Sequence, residues 1–164
     1  MLVSNVAVGH NNIDVEACPR RKIMITNTLG VLGDTASDLT WALLLSTARR
    51  IVESDQYLRS GQWKERGIIK FLGYDVHHKV LGLCGLGRIG QGVARRASGF
   101  RMKILYTDIV RAASSVEQEL AALFVDKKSL MSQSDFISLH VPLTPQTTHY
   151  ISGPEFSTMK STPS

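Results

Sequence analysis

The sequence predicts an α/β protein built on a doubly wound parallel sheet, because continuous apolar strands alternate with helices along its second half. A glycine-rich turn, Gly85-Leu-Gly-Arg-Ile-Gly90, lies at the junction of a predicted strand and a predicted helix. The composition is that of a globular chain of 164 residues, 43% apolar and 20% charged. An apolar content this high excludes intrinsic disorder.

The individual elements are predicted from hydrophobic periodicity and from turn residues. Strands are expected at 2–8, 22–27, 79–84, 102–107, 123–125 and 135–141. Helices are expected at 13–18, 34–59, 88–99, 115–123, 127–133 and 154–159. From residue 79 onward the two types alternate strictly, which is typical of a parallel sheet covered by helices on both faces.

The longest predicted element is a single helix from an N-cap at Asp34 to about Arg59, followed by a loop at 61–78. Apolar side chains recur along it at helical spacing, and Gly61 is expected to end it. A helix of ~25 residues spans roughly 38 Å, which is longer than a compact α/β unit needs. It could therefore cross between two domains or lie in a subunit interface.

Both ends of the chain differ from ordinary domain ends. An apolar strand begins at Leu2 without a polar lead-in, and the predicted helix 154–159 is followed by only a few residues, where an alternating chain would place a strand. We therefore expect a segment of a longer protein, truncated at both ends. Strand 135–141 should then have an unpaired edge and an uncovered apolar face, which favours marginal stability and self-association.

Charge and cysteine content exclude several classes of function. Lys+Arg 19 against Asp+Glu 14 give a net charge of +5, but the basic residues form short pairs without interleaved aromatic residues, so no nucleic-acid partner is expected. No apolar run approaches the roughly 18–20 residues of a membrane span and no secretory signal is recognisable, so a cytoplasmic location without membrane contact is predicted. Cys18 and Cys84 are expected to be reduced and structural, and no metal site is predicted.

The glycine-rich turn predicts a dinucleotide site. Gly85 permits the tight turn after the strand, Gly87 leaves room for a pyrophosphate, and Gly90 lets the helix pack closely on the strand. The backbone amides of Arg88 and Ile89 are the expected phosphate donors, at the positive end of the helix dipole. The Arg88 guanidinium adds positive charge.

An acidic residue stands where this motif requires one. Asp108 follows Gly90 by 18 residues, at the end of the next predicted strand, where a carboxylate accepts hydrogen bonds from the adenosine ribose hydroxyls. The same carboxylate would repel the 2′-phosphate of NADP, so NAD is the predicted cofactor. Arg111, three residues further on, leaves NADP open as the alternative.

The segment 134–145 ends a strand in a loop interrupted by prolines. Ligands of doubly wound sheets bind at the carboxyl ends of the strands, so this loop should form one wall of the cofactor pocket. His140 could act there as a general acid or base. We favour a role in ordering the loop or lining the nucleotide site, since no carboxylate is obviously placed to orient the imidazole ring.

These stretches together resemble the D-isomer-specific 2-hydroxyacid dehydrogenase family, most closely its glyoxylate/hydroxypyruvate reductase branch. The likeness runs through almost the whole chain and is carried by Ala7-Val-Gly9, Thr26-Asn27-Thr28, Ala42-Leu-Leu-Leu45, the glycine turn and the segment Ser134 to Thr144. It implies a Rossmann domain inserted into a flavodoxin-like substrate domain. In this division residues 1–29 end the first substrate-domain segment, 30–60 form a crossover helix that also contributes to a homodimer interface, and 61–164 are a truncated NAD(P)-binding domain.

The resemblance also implies roles for individual residues. Beyond the glycine turn, the residues expected to contact NAD(P) are Asp108, His140, Val141, Pro142 and Thr147. The backbone N–H groups of Val8 and Gly9 would bind the substrate carboxylate. The family's catalytic Arg, Glu and His follow the next strand, after Met159-Lys160, so no residue of this chain inherits a catalytic role.

The reaction implied by the resemblance is the reduction of a small 2-keto acid, of glyoxylate or hydroxypyruvate type, to the D-2-hydroxy acid by a reduced nicotinamide. Because the catalytic residues are missing, we expect residues 1–164 alone to bind a dinucleotide weakly and to turn over negligibly. A non-catalytic, NAD-sensing corepressor-like module is the alternative from another class of function. Phosphoglycerate or formate dehydrogenase activity stays open within the family, whereas the segment 134–144 argues against an unrelated Rossmann methyltransferase.

Overall fold

The computed structural model describes residues 1–10, 12–65, 67 and 70–161. The predicted loop 61–78 therefore lies partly outside the described residues. The strands are β1 (Leu2–Asn5), β2 (Met24–Asn27), β3 (Val80–Cys84), β4 (Lys103–Thr107), β5 (Ala122–Phe124) and β6 (Phe136–Leu139). The helices are α1 (Ala17–Arg20), α2 (Gly33–Ala48), α3 (Ile51–Arg59), α4 (Arg88–Ala97), α5 (Ser114–Leu120), α6 (Lys127–Gln133) and α7 (Gly153–Thr158), with a 3₁₀ turn at Ser98–Phe100.

Two parallel sheets organise the described residues. β1 pairs with β2, with Leu2 opposite Met24 and Asn5 opposite Asn27. The other sheet has four parallel strands in the order β5-β4-β3-β6. The chain therefore moves outward from β3 through β4 to β5 and then returns to the opposite side of β3. This confirms the predicted doubly wound sheet, whose reversal of strand order lies between β3 and β6, where such sheets bind their ligands.

Helices cover both faces of the four-stranded sheet. Successive side chains of β3 point to opposite faces, so the strand contributes to the packing on each side. Leu81 and Leu83 are fully buried in the larger core cluster with Val93 of α4. On the other face Cys84 packs with Leu130 and Met131 of α6, a group that we call the α6 cluster. Cys18 and Cys84 are both buried and free.

Helix α2 packs tightly on α4 beside this sheet. The hydroxyl of the fully buried Ser37 donates to the Gly33 carbonyl at 2.7 Å, and an ideal Cβ on Gly92 would lie only 2.3 Å from that hydroxyl oxygen. Trp41 donates its indole N–H to the Val93 carbonyl at 3.1 Å. Its ring stacks on Phe100 with centroids 4.6 Å apart. Most of the predicted crossover helix is therefore an integral layer of the larger sheet's core.

The prediction of one continuous helix over 34–59 is wrong. α2 ends at Ala48, Arg50 adopts a left-handed conformation with φ 53°, and α3 begins at Ile51. The break is stabilised by a distant segment, because the Tyr74 N–H donates to the Ala48 carbonyl at 2.7 Å. The predicted N-cap is also wrong: Leu32 occupies the N-cap position of α2 without a side-chain capping bond, and Asp34 lies in the first turn, where its charge complements the helix dipole. α3 does end at Arg59, before Gly61 at φ 70°.

The first strand is shorter than its predicted range, and the first helix is displaced from its predicted range. β1 stops at Asn5 and not at residue 8, because Asn5 donates its side-chain amide to the Gly9 carbonyl at 2.7 Å and draws the chain into a turn. α1 begins at Ala17 and not at residue 13. The Asp14 carboxylate accepts the Glu16 and Ala17 N–H groups at 3.1 and 2.9 Å, so a turn occupies the residues before this helix.

β6 is an outer strand of the four-stranded sheet as far as the described residues go, as predicted for this segment. Leu139 on it is exposed, and so is Phe156 of the nearby α7. Among the described residues, none of the helices combines the length and apolar character required to traverse a bilayer.

Candidate dinucleotide site

The glycine turn joins β3 to α4 at the point where the strand order reverses. Gly85 has φ 94°, and an ideal Cβ on it would lie 2.7 Å from the carbonyl oxygen of His140. A Cβ on Gly90 would lie 2.2 Å from the carbonyl oxygen of Gly85. Both positions exclude a side chain, because the turn is enclosed by α4 on one side and by the chain after β6 on the other.

Gly87 differs from these two glycines because the space beside it is open. It is the exposed N-cap of α4, and an ideal Cβ there would meet no described atom within 4 Å. The N–H groups of Arg88 and Ile89 follow in the first helical turn, where amides lack intrahelical acceptors and carry the positive end of the dipole. This bare, electropositive backbone fits a diphosphate, which a side chain at residue 87 would obstruct.

Arg88 extends the positive charge toward the N-terminal part of the chain. The side chain is exposed, and its Nη1 lies 3.9 Å from the position of an ideal Cβ on Gly30. Gly30 belongs to the connection between β2 and α2. The guanidinium therefore lies at the rim between this connection and the glycine turn.

Asp108 is joined directly to the glycine turn. It follows β4, is half-buried, and accepts the Leu86 N–H on Oδ2 at 2.8 Å and the Ile109 N–H on Oδ1 at 2.7 Å. A carboxylate offers about four acceptor positions, so two remain for ribose hydroxyls. The sequence spacing predicted where Asp108 would lie, but its bond to the turn requires β3 and β4 to be adjacent.

His140 lies against the same turn. The backbone N–H of His140 donates to the Cys84 carbonyl at 2.7 Å, and the imidazole Nε2 is 3.0 Å from the Ser138 hydroxyl oxygen. Burial lowers the pKa of the imidazole below its ordinary value, so the ring is neutral at pH 7. The geometry agrees with a residue that orders the loop. The contribution of Ser138 was not predicted from the sequence.

The loop after His140 is held by side-chain hydroxyls and by packing. Val141 contacts the α6 cluster. Thr147 Oγ1 accepts the Thr144 N–H at 2.7 Å and donates to the Pro142 carbonyl. The Thr147 hydroxyl thus shapes the loop from inside, and direct contact of Val141, Pro142 and Thr147 with a cofactor stays a prediction.

An ion pair connects α6 to α7 behind this loop. Lys127 Nζ lies 2.8 Å from Glu155 Oε1 and 4.3 Å from the centroid of the Tyr150 ring. Glu155 Oε2 accepts the N–H and the hydroxyl of Ser152, each at 2.8 Å. The bonds from Lys127 and Ser152 lower the pKa of Glu155 to about 2. The Ser152-x-x-Glu155 spacing is a readable capping box, whereas the contact with Lys127 has no local sequence signal.

Arg111, the predicted alternative contact for NADP, is paired in this structure. Its Nε and Nη2 donate to the two carboxylate oxygens of Glu117 at 2.9 and 3.0 Å. The Tyr106 hydroxyl donates to the same Glu117 carboxylate at 2.7 Å. Neither Glu117 nor Tyr106 was predicted as part of the site.

Val8 and Gly9, the predicted substrate-carboxylate contacts, lie on an exposed turn after β1. The Asn27 side-chain amide donates to the Val8 carbonyl at 3.0 Å, and Asn5 donates to the Gly9 carbonyl at 2.7 Å. Two facing asparagines of the small sheet therefore hold the peptide planes of this turn. Binding of a substrate by its N–H groups stays a prediction.

A doubly wound sheet with an open glycine turn, a helix N-terminus and a strand-end carboxylate defines a Rossmann-type dinucleotide-binding protein. Residues 41–163 match the family described as D-isomer specific 2-hydroxyacid dehydrogenase, NAD binding domain. The chain belongs to this family. The resemblance inferred from the sequence is thereby confirmed, and so is the predicted cofactor class, a nicotinamide dinucleotide.

Individual relatives agree with this assignment. The glyoxylate reductase of Thermococcus onnurineus is 47% identical over 165 residues, which cover 98% of this chain and 49% of that protein. The crystal structure of TT0316 protein from Thermus thermophilus superposes with a TM-score of 0.87 at 40% identity, over 94% of this chain and 48% of that chain. D-lactate dehydrogenase from Aquifex aeolicus, solved with NAD and lactic acid, gives a TM-score of 0.84 at 28% identity, over 97% and 46%. The chain thus spans about half the length of the curated relatives it matches.

Proposed function

We propose that this chain is the nicotinamide-binding part of an enzyme that reduces a small 2-keto acid, of glyoxylate or hydroxypyruvate type, to the D-2-hydroxy acid. The observation that carries the proposal is the open backbone at Gly87 beside the half-buried carboxylate of Asp108. Relatives named glyoxylate reductase, at 47–50% identity, support the substrate class.

When bound, the nicotinamide cofactor supplies the hydride. The residues of this chain bind and orient it. The N–H groups at the start of α4 hold the diphosphate, and the free acceptor positions of Asp108 hold the adenosine ribose. The backbone of His140, Val141 and Pro142 lines the pocket. His140 is neutral and bound to Ser138, which supports its assignment to the pocket wall.

We assign no proton-transfer role to a residue of this chain, so the 164 residues alone should bind a dinucleotide without measurable turnover. Oxidation of NADH by glyoxylate, followed by absorbance with the purified chain, tests this. A rate in the ordinary range of enzymes would show that the chain contains a catalytic acid that the proposal omits.

The proposal includes the division into residues 1–29, 30–60 and 61–164 as substrate-domain end, crossover helix and cofactor domain. Trp41 and Ala48 of α2 belong to the core cluster of the four-stranded sheet, whereas no described residue before α2 belongs to either core cluster. This packing supports a boundary before α2. Exposed Leu39 and Leu43 on α2 support a homodimer interface on this helix. The cytoplasmic location is part of the proposal as well.

Substitution of Gly87 tests the diphosphate cradle. Gly87→Ala places a methyl group where the pyrophosphate would lie, and no described atom obstructs it in the folded chain. Each charge-assisted hydrogen bond that is lost contributes on the order of 1.5–3 kcal/mol, so NADH affinity should fall about tenfold or more. Titration of NADH fluorescence measures this effect.

The matched control is Gly99→Ala, which adds a methyl group in similarly open space on the 3₁₀ turn. NADH affinity should then stay within twofold of the unsubstituted chain. Equal affinity of the two variants, with circular dichroism spectra unchanged, would contradict the proposed cradle.

A further inference from the structure

We propose that Glu117 is a specificity-determining residue, which makes the site prefer NAD to NADP by holding the Arg111 guanidinium away from the 2′-phosphate position. This role for Glu117 rests on the proposed nicotinamide-binding function. It concerns a residue on α5 that lies outside the glycine turn and outside the strand-end carboxylate.

Arg111 is placed where it could reach a 2′-phosphate. It follows Asp108 by three residues, and in Rossmann proteins an arginine near the strand-end acid accommodates that phosphate. Its side chain is 63% exposed, so it can be reached from the solvent side of the adenosine pocket. An unpaired guanidinium at this position would favour NADP.

Glu117 holds the Arg111 guanidinium in a bidentate ion pair. Both carboxylate oxygens accept from Arg111, at 2.9 and 3.0 Å, which occupies two of its five donors in a fixed geometry. The guanidinium carbon lies 5.8 Å from the centroid of the Phe124 ring, so the side chain is directed toward α5 and β5. A 2′-phosphate would have to displace a bound carboxylate to recruit Arg111.

The Glu117 carboxylate is itself anchored in the core, unlike other carboxylates paired with arginine in the described structure. The buried Tyr106 hydroxyl donates to it at 2.7 Å and accepts the Ala112 N–H at 2.9 Å. The Glu117 side chain is only 14% exposed, whereas the side chain of Glu119 on the same helix is 53% exposed in its pair with Arg95. Exposed pairs contribute little because both side chains stay free to move, so only the anchored carboxylate can hold its arginine persistently.

The two carboxylates act in the same direction. Asp108, the residue proposed to bind the adenosine ribose, repels a 2′-phosphate directly. Glu117 pairs with Arg111, the nearby cation that would otherwise attract this phosphate. The hydrogen bond from Arg111, together with the one from Tyr106, lowers the pKa of Glu117, so this carboxylate stays ionised at physiological pH. Neutralising Glu117 should therefore improve NADPH binding and leave NADH binding nearly unchanged.

The test compares the dissociation constants of NADH and NADPH for the 164-residue chain and for its Glu117→Gln variant by fluorescence titration. In Glu117→Gln we expect NADPH affinity to increase about tenfold, the effect of one recruited charge-assisted contact, and NADH affinity to change less than twofold. Glu119→Gln is the matched control, because it removes the same charge from the same helix without contacting Arg111. Its ratio of NADPH to NADH affinity should stay within twofold of that of the unsubstituted chain.

The double variant Glu117→Gln/Arg111→Met isolates the coupling between the two residues. It should lose the gain in NADPH affinity, whereas Arg111→Met alone should leave the ratio nearly unchanged. If Glu117→Gln does not fold, Glu117→Asp keeps the charge but is one methylene too short to hold Arg111 and Tyr106 together, and a smaller gain in the same direction is expected.

Three results would overturn the role of Glu117 while NADH binding is retained. They are an unchanged affinity ratio in the folded Glu117 variant, an equal gain in Glu119→Gln, or a gain that persists in the double variant. Failure of the unsubstituted chain to bind either nucleotide is a different outcome, since it overturns the proposed function and this role with it.

Discussion

The described part of the chain contains two parallel sheets, whose hydrogen-bond ladders are alike and whose surroundings differ. In β3 of the four-stranded sheet, Leu81, Leu83 and Cys84 are fully buried between α4 and α6. In the two-stranded sheet Leu2 of β1 is 56% exposed and Met24 of β2 is 67% exposed. Parallel strands are stabilised chiefly by the helices packed on their faces, so the larger sheet is the stable part of the chain and the smaller one lacks that covering.

The same difference separates the two candidate binding turns. The glycine turn after β3 is enclosed by backbone on both sides, which fixes its shape. The turn at Val8 and Gly9 is held by the amides of Asn27 and Asn5. The dinucleotide turn is therefore preorganised by packing, whereas the geometry of the other turn depends on two polar side chains.

The largest expected effect tests whether stability resides in the four-stranded sheet. Leu83→Ala removes a fully buried side chain and should lower the free energy of unfolding by ~2–5 kcal/mol. The matched change Leu2→Ala, in the exposed strand, should stay within about 0.5 kcal/mol. Urea denaturation followed by circular dichroism measures both. Similar losses in the two variants would show that the sheets form one cooperative core.

An intermediate effect tests whether α7 belongs to the stable part. The folded-state pKa of Glu155 is about 2, below its ordinary value of 4.5. A lowered pKa of a carboxyl group stabilises the fold fully above the ordinary value and loses that contribution as the pH falls through the folded value. Glu155→Gln should thus lower the melting temperature at pH 7, and its difference from the unsubstituted chain should shrink between pH 4.5 and pH 2.

The control for this pH dependence is Glu119→Gln, which removes an exposed carboxylate from α5. Its melting temperature should differ little from that of the unsubstituted chain at either pH. A constant difference for Glu155→Gln across the whole range would mean that the Lys127–Glu155 pair does not couple α7 to α6.

The smallest expected effect concerns the two-stranded sheet. Asn5→Ala removes the bond to the Gly9 carbonyl, and one such bond contributes about 0.5–1.5 kcal/mol. Amide hydrogen exchange in residues 6–9 should become faster while exchange in β3 and β4 stays unchanged. Asn12→Ala, at an exposed turn position, is the matched control. Faster exchange throughout the larger sheet would show that the turn and that sheet open together.

Where local chemistry decides a structure, the sequence predicted it well. Helix α6 spans the predicted residues 127–133, because Asp126 caps it by accepting the Ser129 N–H at 2.9 Å. The break between α2 and α3 was not predicted, since neither glycine nor proline marks it. It depends on the Tyr74 N–H, which reaches the Ala48 carbonyl from a distant part of the chain.

By itself the sequence determined the alternation of elements, the glycine turn and the position of Asp108, because periodicity, glycine's conformational freedom and spacing act over a few residues. Only the tertiary structure decided the strand order, the bond from Leu86 to Asp108 and the pairing of Arg111 with Glu117. Those contacts join side chains and backbone across separate elements, so they exist only after β3, β4 and α5 have packed.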